Sequence, residues 1–436
     1  MTIDDSVAAA ARSETWAKLR VLVIALCFLL NMLDGADVLI MSLVAPKLAQ
    51  QWAVKPDTLG FLLSASLAGM FAGCLFVAPL ADRFGRRTMI LIALSLVSAA
   101  MIDSGYAPGV LPLMAARFVV GVGVGTIGVS MTAMASEFAP ARHASLAVGF
   151  VQAGWPLAAV LTAFVAARVI PVNGRQVMML GIGAVSTALL ALVWVILPES
   201  VAYLEKRRPP GALRRLNRLR LRLGETPLTV LPPLPKSEET LAVSALFQEG
   251  RGRTSVLLWA AVTLGFFVVF FVVSWIPKLA TQAGLPMSEA IYAGASFNFG
   301  SFIGTSAIGW VAVRFRIHQV IAGFFAAGIV AMTAFGSLAM PVATTLLVAV
   351  VVGATVNGGF NGFWTLAAAL YPARMRGTGV GVAMGLGRVG AVLGPIVGGY
   401  LVAAHWAIGA IFAFYAVPLA LSAGLCLMIR PTNREE

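Results

Sequence analysis

The segment PARHASLAVGFVQAGWPLAAVL, residues 140–161, has a counterpart in PARMRGTGVGVAMGLGRVGAVL, residues 372–393. At one constant offset the two segments share Pro-Ala-Arg at the start, Val-Gly in the middle and Ala-Val-Leu at the end. Both lead from a short polar stretch into a long apolar one. Weak internal similarity of this kind indicates that the chain is built from two structurally related halves.

The composition around this repeat is that of a protein in lipid. Hydrophobic residues make up 59% of the 436 residues and charged residues only 11%, whereas a soluble domain has about 25% charged residues. The apolar residues form long blocks, which argues against a soluble protein with one large core. The first block, about 19–44, is longer than a signal-peptide core of about 7–15 residues, so we expect it to remain as a first helix.

Twelve blocks are long enough to cross a bilayer, whose hydrocarbon core of about 30 Å takes about 20 residues of helix. In the first half they cover about 19–44, 57–80, 87–106, 110–136, 144–168 and 176–197. In the second half they cover about 254–281, 288–312, 318–339, 342–369, 377–403 and 406–429. The sequence therefore predicts an all-α integral membrane protein with six-helix halves at 1–198 and 254–436, joined by a linker at 199–253.

Topology, rather than nucleic-acid binding, explains the net charge of +13. With both termini and the linker in the cytoplasm, the inner loops and tails hold 24 of the 31 Lys and Arg residues. This excess on one side is typical of cytoplasmic loops. The remaining basic residues are Lys47, Lys55, Arg168, Arg175 and Lys278 in outer loops, and Arg117 and Arg388 inside spans.

The linker contains LRRLNRLRLRL, Leu213–Leu223, whose spacing predicts a short basic amphipathic helix. Such a helix can lie on the anionic inner leaflet of the membrane. The alternative is a solvated linker whose charge keeps it on the cytoplasmic side.

No metal, cofactor or enzymatic group is predicted. The three cysteines, Cys27, Cys74 and Cys426, each lie in an apolar span, where packing is their expected role. The histidines have no plausible nucleophile beside them. The glycine-rich stretches GVGVG and GLGRVG follow no strand, so close helix packing explains them better than nucleotide binding.

Three short motifs carry a resemblance to a known family. The loop after the second span reads PLADRFGRR, residues 79–87, the fourth span contains RFVVGVGVG, residues 117–125, and the sixth ends in LPES, residues 197–200. Together they resemble the major facilitator superfamily, although Ala78 stands where that family's loop motif begins with Gly. The resemblance implies alternating access around a site between the two halves, near the bilayer midplane.

A narrower resemblance rests on Asp34-Gly35-Ala36-Asp37 in the first span and on GTGVGVAMGLGRVGAVLGPIVGGYL, which carries Arg388, in the eleventh. Both are similar to the aromatic acid:proton symporter family. This resemblance implies import of anions such as benzoates, hydroxybenzoates or phenylpropionates, by a monomer in the inner membrane of a bacterium.

Asp34 and Asp37 are candidate proton-coupling groups. A carboxylate at membrane depth costs about 2.5–3.5 kcal/mol, so it is expected to face a cavity or a partner. Three residues apart on a helix they share a face, and protonation of one relieves their repulsion. Counting depth along the helices places Arg117 level with Asp34, which predicts an ion pair between them that protonation of Asp34 releases. The alternative is that an Asp–Arg pair only holds helices together.

Arg388 is the predicted carboxylate-binding residue. The eleventh span places it near the midplane, where an Arg is costly unless an anion or a cavity meets it. Its planar fork matches a carboxylate through two parallel hydrogen bonds. The alternative is a pair with an Asp of the first span. Asp37 is a second candidate for substrate contact.

Further candidates follow from depth and residue type. Amide and aromatic side chains within reach of a central cavity are Gln152, Trp155, Phe270, Asn298, Asn357 and Asn361, with Phe267 and Phe271 as weaker candidates. Predicted gating residues at the inner ends of the helices are Asp82, Arg83, Gly85, Arg86, Glu137 and Arg142.

The sequence leaves other transport functions open. A proton-antiport exporter of drugs or metabolites has the same fold, but GFVQAGWPLAA in the fifth span lacks the Gly-Pro and Gly-Gly pairs expected of it. A symporter of aliphatic acids shares much of the pattern. A channel is less consistent with the two-half repeat and with Arg388.

Overall fold

The computed structural model describes residues 18–232, 246–247, 251–312, 314–337, 340–371 and 376–429. In these ranges the chain is helical and contains no strand. The first half contains α1 Lys18–Gln51, α2 Pro56–Phe84, α3 Arg86–Tyr106, α4 Val110–Phe138 and α5 Ala144–Ile196. The linker contains α6 Val201–Arg207 and α7 Ala212–Arg222. The second half contains α8 Gly252–Gln282, α9 Met287–Val311, α10 Ile317–Ser337, α11 Val342–Leu370, α12 Arg376–Ala403 and α13 Ile408–Met428.

Ten helices in the described ranges are long and apolar enough to cross a membrane. One of them, Leu146–Ile196, has 51 residues, which is about 75 Å of helix and more than two crossings. It bends at Gly174, whose φ is 75°, between the predicted spans 144–168 and 176–197. Helix α9 has 25 residues and is not among the ten, because its serines, glycines and Asn298 lower its mean hydropathy. The count of twelve spans stays a prediction.

The outer surface of the bundle is apolar. Leu111, Val172 and Val195 have 76–81% of their area exposed, and many other large apolar side chains are exposed on the same helices. Hydrocarbon rather than water suits such a surface. Inside each half, helices approach closely through glycine. A Cβ at Gly69 or Gly73 of α2 would overlap the backbone of α4, and one at Gly121 or Gly125 would overlap that of α2. The GVGVG stretch is therefore a helix-packing surface.

The two halves meet where α2 crosses α12, near the end of the bundle opposite the linker. We call this the far end and the opposite one the linker end. A Cβ at Gly60 would lie 2.7 Å from the Pro395 carbonyl oxygen, and Ser64 Oγ donates to the Val392 carbonyl at 2.7 Å. Towards the linker end of α12, a Cβ at Gly381 or Gly385 would meet nothing within 4 Å. The halves are closed together at the far end, and this face of α12 is open.

The predicted basic helix of the linker is present as α7 and lies against the first half. It buries Leu216 and Leu219, and Glu225, just beyond it, accepts a hydrogen bond from Arg20 of α1 at 2.8 Å. Arg207 of α6 donates to the Asp82 carbonyl at 3.0 Å. The linker therefore contacts the first half through Arg207 and Glu225. The predicted boundaries at 198/199 and 253/254 stay predictions, and residues 1–17, 233–245, 248–250 and 430–436 lie outside the described ranges.

Candidate functional site

Arg117 pairs with Asp37, in the interior of the first half. Its Nη1 donates to Asp37 Oδ1 at 2.8 Å, and its Nη2 donates to the Asp37 backbone carbonyl at 2.9 Å. Ser66 Oγ donates to Asp37 Oδ2 at 3.3 Å. Both charged side chains have 0% of their area exposed.

The predicted pair of Arg117 with Asp34 is therefore wrong. Depth counting places both carboxylates level with Arg117 but does not fix the rotation of α1, and three residues turn a helix through about 300°. The rotation directs Asp37 towards α4 and Arg117. Because Asp37 is enclosed and both its oxygens accept hydrogen bonds, it has no free oxygen to offer a substrate in this conformation.

Asp34 has a different environment. Its side chain is partly exposed, yet its Oδ1 is buried with no hydrogen-bond partner. The charges of Arg388 and Asp37 both act on this carboxyl group. The next residue, Gly35, packs against the Trp155 backbone of α5, where a Cβ would overlap the Trp155 carbonyl. Close packing of α1 on α5 thus fixes the position of Asp34.

Arg388 of α12 lies within electrostatic range of Asp34 and of Cys74. It is partly exposed, and within the described ranges it forms no hydrogen bond or ion pair. Its flanking glycines fit α12 closely to α8: a Cβ at Gly387 would lie 2.5 Å from Phe266, and one at Gly390 would overlap the Thr263 carbonyl. These glycines serve helix packing and leave no room for a ligand. Packing thus holds the position of Arg388, and none of the described carboxylates is bound to it.

Cys74 belongs to this neighbourhood, although the sequence suggested packing alone. It lies in the π-helical turn Gly73–Val77 of α2 and donates to the Gly125 carbonyl at 3.2 Å. A π turn inserts one residue into the helix and rotates everything beyond it. Hydropathy carries no signal for such a turn, so the proximity of Cys74 to Asp34 and Arg388 could not be read from the sequence.

The predicted amide and aromatic residues divide into accessible and enclosed ones. Gln152 is exposed, and Trp155, Phe270, Asn357 and Asn361 are partly exposed. Phe270 stacks on Phe266 with ring centroids 5.8 Å apart. Of these residues, Trp155 lies beside the α1 segment that carries Asp34.

The other predicted contacts lie in the second half. Asn361 Nδ2 donates to Thr305 Oγ1 at 3.0 Å and to the Asn357 carbonyl at 2.9 Å. Asn298 is enclosed, with its Oδ1 unpaired and its Nδ2 donating to the Gly294 carbonyl at 2.9 Å. Phe271 is fully buried and stacks on Tyr415 at 3.6 Å, which makes it part of the core and not a ligand contact.

The predicted gating residues form part of a polar network at the linker end of the first half. Arg86 forms an ion pair with Glu137, and Glu137 Oε2 accepts from Ser200 Oγ at 2.7 Å. Gly85 has a φ of 98°, and a Cβ there would lie 2.5 Å from the Glu199 carboxylate. A glycine is therefore required where this loop turns. These contacts join α2, α3, α4 and the start of the linker within one half.

The remaining gating candidates lie on the same surface. Arg83 and Arg142 are exposed, and the Arg83 guanidinium lies 5.3 Å from the Phe84 ring. Control of a gate by Asp82, Arg83, Gly85, Arg86, Glu137 and Arg142 stays a prediction. In the described residues no group of three or more His, Cys, Asp or Glu side chains is placed to hold a metal.

Comparison with known proteins gives one family and consistent relatives. The profile described as Major Facilitator Superfamily matches residues 24–388. The 4-hydroxybenzoate transporter PcaK of Pseudomonas aeruginosa is 32% identical over 412 residues, which cover 93% of this chain and 91% of PcaK. The gallate transporter of Pseudomonas putida is 29% identical over 412 residues, which cover 93% of this chain and 91% of the relative.

Among solved structures, this chain is similar to the xylose transporter XylE from E. coli in a partially occluded inward open conformation. The TM-score is 0.74 at 18% sequence identity, and the match covers 96% of this chain and 100% of XylE. At that identity the likeness establishes the fold and nothing finer.

Proposed function

The chain belongs to the major facilitator superfamily, as its sequence motifs predict, and from that premise we propose that it imports a small aromatic carboxylate together with a proton. It is a multi-pass membrane transporter and not an enzyme. The names of the relatives support the cargo, since transporters of 4-hydroxybenzoate and gallate align over most of its length. A benzoate or hydroxybenzoate type of acid is the proposed substrate.

The observation that carries the proposal is that Arg388, within the described ranges, binds no protein anion and lies within electrostatic range of Asp34, whose Oδ1 has no hydrogen-bond partner. A guanidinium in the membrane interior is costly without an anion or water to solvate it. Within the described ranges no protein carboxylate binds Arg388. We assign it to the substrate carboxylate, which it binds through two parallel hydrogen bonds. Trp155 lies near Asp34, in the first half and therefore across the boundary from Arg388. It offers an aromatic face for the substrate ring.

Asp34 is assigned to the proton. Its Oδ1 has no donor, so protonation breaks no hydrogen bond there. Asp37 is assigned a positioning role, because it already accepts from Arg117 and Ser66 and protonation would disrupt those contacts. With the proton on Asp34 and the anion on Arg388, the charges that oppose movement of the site across the membrane are compensated.

The contact between the halves supports an alternating-access mechanism. We take the far end as the outer side and the linker end as the cytoplasmic side, in agreement with the distribution of Lys and Arg. The α2–α12 contact then closes the outer side in this conformation, and the open face at Gly381 and Gly385 leads from Arg388 towards the cytoplasm. Opening of the α2–α12 contact would admit the substrate from outside.

Uptake of labelled acids into proteoliposomes tests the proposal. We expect accumulation of 4-hydroxybenzoate or benzoate when the outside is more acidic than the lumen, and little accumulation without the gradient. An aliphatic acid of similar size, such as hexanoate, serves as the comparison. Accumulation of hexanoate alone would replace the aromatic assignment. Efflux of preloaded compounds in exchange for protons, without uptake of any acid, would favour the exporter.

A further inference from the structure

A second repeated motif lies at the far ends of α1 and α8. Helix α1 ends in APKLAQQ, residues 45–51, and α8 ends in IPKLATQ, residues 276–282. Both contain Pro-Lys-Leu-Ala, and the lysines, Lys47 and Lys278, each lie four residues before the end of the helix. The two halves therefore present the same basic side chain at equivalent positions.

Packing brings these two helix ends together at the boundary between the halves. A Cβ on Gly294 of α9 would lie 3.2 Å from Pro277 Cγ and 3.9 Å from Leu43 Cδ2. Pro277 immediately precedes Lys278, and Leu43 is one turn before Lys47. The lysines thus lie on either side of the boundary between the halves, at its far end.

Each lysine follows or precedes buried helix residues, while its own side chain reaches the surface. Leu48 and Leu279, the next residue in each helix, are 0% and 1% exposed. The lysine side chains are partly exposed. In the part of the chain that the structure describes, neither ammonium has a carboxylate partner.

We propose that Lys47 and Lys278 together form an encounter site for small carboxylate anions at the outer mouth between the halves. This inference rests on the proposed function, because it assumes that the substrate anion arrives from the far end. Two cations at one mouth raise the local concentration of anions and accelerate their association. The alternative is that each lysine only anchors its helix at the bilayer boundary by extending towards lipid phosphates.

The encounter site is separate from the proposed substrate site. Thirteen residues of α1 separate Lys47 from Asp34, which is about 20 Å along the helix. That distance exceeds the Debye length of about 8 Å at physiological ionic strength. The lysines therefore act on the approach of the anion and not on the bound state, so their effect falls on KM and depends on salt.

Initial uptake rates of labelled 4-hydroxybenzoate into phosphatidylcholine proteoliposomes test the site. The variants are Lys47→Gln, Lys278→Gln and the double variant, with Lys55→Gln as the matched control, because Lys55 is an exposed lysine at the same end of the bundle. At about 0.15 M salt we expect the double variant to raise KM about three- to tenfold with little change in maximal rate. The difference should vanish at high salt. Lys47→Arg/Lys278→Arg, which keeps both charges, should restore the wild-type KM.

Two results would overturn the proposal while leaving the proposed function intact. One is a double variant with wild-type KM and wild-type salt dependence, which would leave the lysines as membrane anchors. The other is an equal rise in KM for Lys55→Gln, which would reduce the effect to net surface charge. If wild-type protein takes up no aromatic acid under any gradient, the proposed function itself fails. Folding of each variant is checked by its elution as a single species in detergent.

Discussion

Arg117 holds Asp37 by two hydrogen bonds, one to the Asp37 carboxylate at 2.8 Å and one to its backbone carbonyl at 2.9 Å. The arrangement ties α4 to α1 at a point that is closed to solvent. Asp34, one turn away on α1, has no such partner for its Oδ1. The two carboxylates of the Asp-Gly-Ala-Asp motif therefore have different environments and, in our account, different roles.

Breaking the Asp37–Arg117 pair should destabilise the protein. Arg117→Met leaves a buried carboxylate without its cation, which costs about 3–5 kcal/mol when a pair of this kind is broken. We expect a clear fall in the thermal unfolding temperature of the purified protein in detergent. Asp37→Asn/Arg117→Met, which removes both charges, should recover much of the loss. Equal stability of the single and double variants would show that the pair is not a structural contact.

Replacing the planar guanidinium of Arg388 should weaken substrate binding and leave the stability of the protein almost unchanged. Lys keeps the charge but cannot make two parallel hydrogen bonds to a carboxylate. Since a hydrogen bond to a charged group contributes about 1.5–3 kcal/mol, we expect Arg388→Lys to raise the Kd for 4-hydroxybenzoate by about tenfold or more. Calorimetric titration of purified protein measures this. Arg168→Lys, at an exposed position near the far end, is the control, and an unchanged Kd for Arg388→Lys would contradict the assignment.

A large side chain at Gly60 should keep the far end open. A Cβ there already lies 2.7 Å from the Pro395 carbonyl and 3.2 Å from Gly399 Cα, so Leu cannot fit while α2 and α12 are in contact. In a Ser64→Cys background we expect Gly60→Leu to increase labelling by a membrane-impermeant maleimide added from outside, and to slow uptake. Gly109→Leu is the matched control, because its Cβ would meet nothing within 4 Å. Unchanged labelling in Gly60→Leu would mean that α2 and α12 do not form the outer closure.

Hydropathy was sufficient to predict most of the helices, because a bilayer enforces long apolar segments. The bounds of α8, predicted at about 254–281 and observed at Gly252–Gln282, show how closely such a segment can be placed. Hydropathy also divided α5 into two spans, about 144–168 and 176–197, but it could not show that they join into one helix that bends at Gly174.

Contacts between helices were harder to predict from the sequence. Depth counting placed Arg117 level with the Asp-Gly-Ala-Asp motif, but the rotation of α1 decided which Asp meets Arg117. The π turn Gly73–Val77 interrupts α2 where Gly73 packs against α4, and hydropathy carries no signal for it. The contact between Arg20 and Glu225 joins residues 205 positions apart and has no local signal. Each of these depends on tertiary packing, which a single sequence does not encode in any short pattern.

The most direct test of proton coupling compares two transport modes of Asp34→Asn. The first is accumulation of labelled 4-hydroxybenzoate driven by an inward proton gradient, and the second is counterflow, in which labelled acid outside exchanges with unlabelled acid inside without net proton movement. We predict that the variant loses gradient-driven accumulation and retains counterflow, because the substrate still binds Arg388 while the proton site is gone. Accumulation at the wild-type level in Asp34→Asn would contradict the assignment of Asp34 to the proton.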